Sequence, residues 1–163
     1  MSLGLTDIYL AGPFFNEEQI KVMDELKRIL IDHGLRVCDP RDISPIINQS
    51  ADEKKTPAFF KEIFDGNITG MELSFGLIAW TDERDTGTSF ELGYFYNKIL
   101  TEEKGFIVTF SAQNKPANVM LSQATTQHFK SFEELSRWLD ANANNIIEKK
   151  HIEHSDEKQQ TNE

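Results

Sequence analysis

Residues 77–80, Leu-Ile-Ala-Trp, form a short apolar run bounded by polar residues, and a helical pattern begins only a few residues later. A run of that length between polar flanks reads as a buried strand. The connection that follows, TDERDTGTS (81–89), is polar, and it leads into Phe90, Glu91, Leu92, Tyr94 and Phe95. The stretch is therefore strand, polar loop, helix N-terminus, with one carboxylate at the start of the helix. Parallel strands need long crossover connections, so a strand that hands over to a helix predicts a parallel sheet covered by helices. In open sheets of that kind, ligands bind beyond the carboxyl ends of the strands, where this loop lies.

The rest of the chain repeats the alternation. IYLA (8–11) is a β-type run that Gly12-Pro13 ends with turn chemistry. Asn16 is placed as the N-cap of a helix to about His33, with Ile20, Met23, Leu26, Leu30 and Ile31 at helical spacing and Gly34 as the residue past its end. LRVC (35–38) reads as the second strand. Residues 39–56 are polar with two prolines, and a loop that long in a compact domain is usually functional or mobile. Thr56-Pro57 looks like an N-cap followed by proline at the first helical position, with the helix continuing through Phe60, Ile63, Phe64, Ile68 and Met71. LIAW is the third strand, followed by a helix to about Leu100, and GFIVTF (105–110) is the fourth. Residues 111–120 read as a polar loop, 126–129 as a short fifth strand, and 131–148 as an amphipathic helix with Phe132, Leu135, Leu139, Ile146 and Ile147 inward. The expectation is an α/β domain over residues 1–148, a doubly wound, mostly parallel five-stranded sheet with helices on both faces. The polar tail, 149–163, lacks periodicity and is expected to fray or be disordered.

Several functions are disfavoured before any motif is considered. The formal net charge of −10 argues against a nucleic-acid backbone as partner, and says nothing against a small neutral ligand. No apolar run is long enough to span a membrane. MSLGLTD has no basic region followed by an apolar core, so no signal peptide is expected. The single cysteine, Cys38, cannot form an internal disulfide and fits a reducing cytoplasm. No GxGxxG, Walker or GxSxG sequence occurs, and His33, His128, His151 and His154 are scattered, so neither cofactor nor metal is expected.

What remains is carboxylates at loop–helix junctions. Glu91 has two readings. Thr88-Ser89-Phe90-Glu91 fits the capping box S/T-x-x-E, in which Thr88 caps the helix and Glu91 reaches back to a backbone N–H. Alternatively, a carboxylate on a first helical turn at the ligand edge is placed as a nucleophile or base, its ionised form favoured by the helix N-terminus. Asp85, six residues earlier, is either a turn residue, as Asp82 and Glu83 are read, or a partner for a substrate hydroxyl or a base. Tyr9 is a core residue whose hydroxyl can face the sheet edge. Asn67 can cap, face solvent or project into a pocket, and Phe14 and Phe15 are partly core, with an aromatic there able to stack on a flat ligand.

These residues carry a resemblance. IYLAGPFF near the start, DTGTSFELGY in the middle and KPANVM late in the chain resemble, in that order, the nucleoside 2-deoxyribosyltransferase family. The resemblance implies a flavodoxin-like doubly wound fold and exchange of the base of a 2′-deoxynucleoside with a free nucleobase. It implies Glu91 as a nucleophile that attacks C1′ and forms a covalent deoxyribosyl-enzyme, Asp85 as the acid that contacts sugar or base, and Tyr9 as the tyrosine that orients Glu91. Gly12, Pro13 and Phe15 would wall the base, and Gly87 and Asn67 would line the substrate site. Asn118 and Met120 match positions where a neighbouring subunit closes over the sugar 5′-hydroxyl, which implies a homo-oligomer, dimer-based and as large as a hexamer in relatives. One departure stands out: some members carry an aspartate where Asn67 aligns, and an asparagine cannot supply a proton. The alternatives are a nucleoside or deoxynucleotide N-glycosidase of the same superfamily, in which water replaces the second base, and a non-catalytic nucleoside-binding module.

Overall fold

The computed structural model describes residues 4–43, 56–112 and 118–160, with side chains as far as Lys149. Five strands, β1 (Thr6–Ala11), β2 (Val37–Cys38), β3 (Ser74–Trp80), β4 (Phe106–Phe110) and β5 (Gln127–Phe129), form one sheet in the order β2-β1-β3-β4-β5. Every pairing is parallel. This is the flavodoxin-like doubly wound order, whose ligand-binding crevice lies where the winding reverses, between β1 and β3. The helices are α1 (Glu17–Asp32), α2 (Pro40–Ile43), α3 (Pro57–Glu72), α4 (Thr86–Glu102), α5 (Val119–Ala124) and α6 (Phe132–Gln160).

Alternate residues of each strand feed two separate cores. Ile8, Leu10, Ile78, Trp80, Val108 and Phe110 pack against Met23, Leu26 and Leu30 of α1 and Leu135, Leu139 and Ile146 of α6. Tyr9, Ala11, Leu77, Ala79 and Ile107 point the other way, onto Met71 of α3 and Leu92 and Phe95 of α4. Burial on both faces is why β3 reads as a continuous apolar run rather than an alternating one. No helix among the described residues is long and apolar enough to cross a membrane.

The helix ends follow local chemistry. Asn16 caps α1, its side chain accepting from the Gln19 N–H at 2.9 Å. At the far end Gly34 takes φ +81°; its N–H bonds to Ile31 O and that of Leu35 to Leu30 O, the paired bonds of a Schellman motif. Thr56 caps α3, with Pro57 at the first helical position. Gly70 lets α3 settle onto the sheet: a Cβ there would stand 2.7 Å from Cys38 Sγ and 3.3 Å from the Tyr9 ring. That close approach brings α3 beside Tyr9, where the site forms.

Some boundaries differ from expectation. β3 begins at Ser74, earlier than its apolar run, because Thr6 pairs with Ser74 and their hydroxyls bond at 2.7 Å. β2 is only two residues long. Ile31, expected inward, is exposed, and Ile29 takes the buried position. Within the expected 39–56 loop, α2 forms beside the buried Asp39, which pairs with Arg41 at 2.7 Å and Lys27 at 3.1 Å; residues 44–55 lie outside the described residues. Residues 119–124, where the polar loop was expected to end, form α5, capped by Asn118. α6 was expected to end near 148 and its backbone is helical to Gln160; the added stretch is rich in Glu, Lys and Gln, which are good helix formers.

Candidate active site

The N-terminus of α4 is held by Asp85, not by Thr88. Asp85 Oδ2 accepts from the Thr88 N–H at 2.6 Å and from the Thr88 hydroxyl at 2.8 Å. Aspartate outranks threonine as a cap, and the Asp-x-x-Thr order lets one oxygen take both donors. Gly87 makes this fit tight: a Cβ there would sit 3.1 Å from Asp85 Oδ2. The capping box expected from Thr88 and Glu91 is therefore not formed. Glu91 lies past the first turn of α4 rather than in it, and its side chain is free to turn toward the sheet.

There it meets β1. The hydroxyl of Tyr9, which is fully buried, donates to Glu91 Oε1 at 2.7 Å. Among the described residues no hydrogen bond reaches Glu91 Oε2. The carboxylate stands at the end of a groove of about 300 Å³ between α3 and α4, lined by Phe60, Ile63, Phe64, Asn67, Ile68, Met71, Gly87 and Phe90. The apolar surroundings remove water from the carboxylate and push its pKa from an ordinary 4.5 to about 7. The Tyr9 hydrogen bond opposes that rise, and the negative charge of Asp85 adds to it. Tyr9 is itself held far above the usual phenol range, by burial first and by the Glu91 carboxylate second. The tyrosine thus stays a neutral donor at any physiological pH. A carboxyl poised near neutrality, lining a groove with one oxygen fixed and the other without a hydrogen bond among the described residues, is equipped to act as nucleophile or base.

A family model for nucleoside 2-deoxyribosyltransferases matches residues 8–135. The chain belongs to that family. Among solved structures, the 2-deoxyribosyltransferase of Bacillus psychrosaccharolyticus is 27% identical, with a TM-score of 0.66 over 80% of this chain and 90% of its own. The 2-deoxyribosyltransferase of Leishmania mexicana is 22% identical, with a TM-score of 0.56 over 83% of this chain and 97% of its own. A Clostridium botulinum CMP N-glycosidase is 15% identical, with a TM-score of 0.53 over 83% of this chain and 98% of its own. The last two are similar in fold. A comparison with curated protein sequences returns no match.

Within this member of the family, Glu91, Gly87 and Asn67 line the groove, the buried Tyr9 is linked to it through its hydrogen bond to Glu91, and Asp85 acts on Glu91 through its charge. Asp85 Oδ1 takes no hydrogen bond among the described residues, so the capping carboxylate keeps one oxygen for another partner. Gly12 and Pro13 are buried and do not line the groove; a Cβ on Gly12 would meet Met23 Sδ at 2.5 Å, so this glycine serves helix packing. Phe15 is 65% exposed and stacks on Phe14 with ring centroids 5.5 Å apart. Asn118 caps α5, accepting from the Met120 N–H at 2.8 Å, and Met120 is 75% exposed. Neither lines the Glu91 groove of its own chain. Among the described residues no group of His, Cys, Asp or Glu comes together as metal ligands would.

The groove walls are what sequence reasoning missed. Phe60 and Phe64 read only as positions along a helix and Phe90 as a neighbour of Glu91, yet each is about half exposed, and the Phe64 and Phe90 rings pack with centroids 6.1 Å apart. A signal was present: α3 carries more large apolar residues than one buried stripe needs, and only Gly70 and Met71 of it are buried.

Proposed function

We propose that the protein exchanges the base of a 2′-deoxynucleoside through a covalent deoxyribosyl–Glu91 intermediate. The observation that carries this reading is the Tyr9–Glu91 hydrogen bond at the end of the α3–α4 groove, which fixes Oε1 and leaves Oε2 open. In the first step Oε2 attacks C1′, the C1′–N bond breaks, and its electron pair leaves with the base, whose nitrogen takes up a proton from water. In the second, a nitrogen of the incoming base attacks C1′, the Glu91 carboxylate is released, and the proton of the incoming base passes to water. Each step passes through an oxocarbenium-like transition state, and two inversions give net retention. A 2′-deoxy sugar lacks an electron-withdrawing hydroxyl, so positive charge at C1′ develops more easily. Asp85, with Oδ1 unengaged, contacts the substrate, and Asn67 contributes a hydrogen bond but no proton. Phe15, beside Gly12 and Pro13, forms the outer wall against the base.

Incubation with deoxyinosine and adenine should yield deoxyadenosine by chromatography. Free deoxyribose in quantity would instead mark the hydrolase reading, and no turnover with any pair of bases a binding module.

The same reading places Asn118 and Met120 in the site of a neighbouring copy. The exposure of Val119 and Met120 at the tip of α5 supports it, since two large apolar side chains there face solvent in the single chain. Sedimentation at micromolar concentration should therefore give a dimer or a dimer-based assembly, and a monomer would count against this role.

A further inference from the structure

We propose that Asp82 is a positioning residue for this reaction: it ties the exit of β3 to the exit of β4 and so holds Asp85 in place over the substrate groove. The proposal rests on the transferase reading of Glu91 and Asp85.

Sequence reading makes Asp82 a solvated turn acid. Among the contacts of its carboxylate are three donors from two strand exits. Oδ1 accepts from the hydroxyl of Ser111, itself 1% exposed, at 2.5 Å. Oδ2 accepts from the Trp80 indole N–H at 3.1 Å and from the Ala112 backbone N–H at 2.9 Å. Thr81 lies between these contacts and donates its N–H to Phe110 O at 2.9 Å, so the chain leaving β3 is fastened to the chain leaving β4 at successive residues. Ser111 is anchored in turn, its N–H donating to Phe129 O of β5 at 3.0 Å. Hydrogen bonds to an ionised carboxylate are about twice as strong as neutral ones, and three on one group fix it in position and direction.

The consequence falls on Asp85. Only Glu83 and Arg84, both exposed, separate it from Asp82. The connection therefore has two fixed ends: Asp82 on β4 and Asp85 on the first turn of α4. The cap sets the height of Asp85 along α4, and Asp82 sets its distance from the sheet edge. Without the second anchor the cap can fray outward, carrying the Asp85 charge away from Glu91. Misplacement of a substrate-facing group by about 1 Å can cost up to about a hundredfold in rate.

The test compares Asp82→Ala, Asp82→Asn and Asp85→Asn with wild type, by steady-state kinetics of deoxyinosine–adenine exchange across pH. Asparagine can keep its oxygen toward Trp80 and Ala112 and turn its amide toward Ser111, whose hydroxyl then accepts. D82A should raise KM for deoxyinosine by about tenfold and move the ascending limb of kcat/KM to lower pH, as D85N does. D82N should stay within about twofold of wild type with its limb unmoved. In the D82A/D85N double variant the limb should shift no further than in D85N alone, because both changes act through one charge. Wild-type KM and limb in D82A would overturn the proposal. So would D82A and D82N losing activity and melting temperature together with the limb at its wild-type position, which would mark a purely scaffolding acid. A wild-type protein that exchanges no bases would remove the transferase reading and this inference with it, whereas an active wild type with an unaffected D82A removes the inference alone.

Discussion

Replacement of Glu91 by alanine is expected to abolish base exchange, with kcat falling by at least about a thousandfold, while the protein stays folded. No other described carboxylate lies in the groove, so the proposed covalent route closes. Two effects on stability oppose each other. Removing a carboxylate from apolar surroundings relieves its desolvation, which stabilises. Leaving the buried Tyr9 hydroxyl without its acceptor costs about 1–3 kcal/mol. The two nearly offset, so the melting temperature should move by only a few degrees. Glu91→Gln separates them: the amide oxygen still accepts from Tyr9, so the variant should melt at or above wild type and be just as inactive. Mass spectrometry offers a direct measurement, since brief exposure to deoxyinosine without an acceptor base should add a deoxyribosyl group to wild type and none to either variant. Near-normal exchange in Glu91→Gln would remove Glu91 as nucleophile.

The fold was readable where periodicity and punctuation agree. α1 has an Asn cap, a helical stripe and a Gly stop within one segment; cap and stop took their expected places, and the stripe did so except that Ile29 is buried in place of Ile31. β3 and β4 are apolar on both faces, so their runs stand out from the polar loops around them. What was unreadable is short or held by tertiary contacts. β2 has two residues and pairs with β1 at Ile8 and Tyr9, and its strand character comes from that neighbour. α5 has six residues and takes its start from one Asn118 side chain, a signal that asparagine equally gives for a turn.

The site was readable as residue types and not as roles. Residues 85–91 hold two overlapping capping frames, Asp85-x-x-Thr88 and Thr88-x-x-Glu91, and local sequence does not choose between them. The choice is made 82 positions away, where the Tyr9 hydroxyl takes the Glu91 carboxylate and leaves the cap to Asp85. Asp82 and Asp85 look alike as loop acids, yet one fastens two strand exits and the other caps a helix beside the groove. Exposed aromatics such as Phe60 and Phe90 are invisible to periodicity because a groove wall and a core stripe have the same spacing on a helix.

The pH dependence of exchange follows from the same three side chains. In the proposed reaction Glu91 attacks only when ionised, and its carboxyl is raised to about 7 in the free protein. kcat/KM, which reports the free enzyme, should therefore rise about tenfold per pH unit towards roughly pH 7 and then level, so that at pH 5 it stands about a hundredfold below its plateau. Two substitutions should displace that limb in opposite directions. Asp85→Asn removes a negative charge that raises the Glu91 pKa, and asparagine caps a helix as well as aspartate does, so the limb should move to lower pH with α4 intact. Tyr9→Phe removes the one hydrogen bond that favours the carboxylate, so the limb should move to higher pH. Stability carries the mirror image. A carboxyl whose pKa is higher folded than unfolded binds its proton more tightly in the native state. Its contribution is complete below about 4.5 and is lost as pH rises through about 7, an effect on the order of 3 kcal/mol. Glu91→Gln has no proton to lose there, so denaturant unfolding at pH 5 and pH 8 should separate wild type more widely than this variant. Equal separations, or limbs in Asp85→Asn and Tyr9→Phe that move the same way, would mean that the ionisation seen in the rate is not that of Glu91.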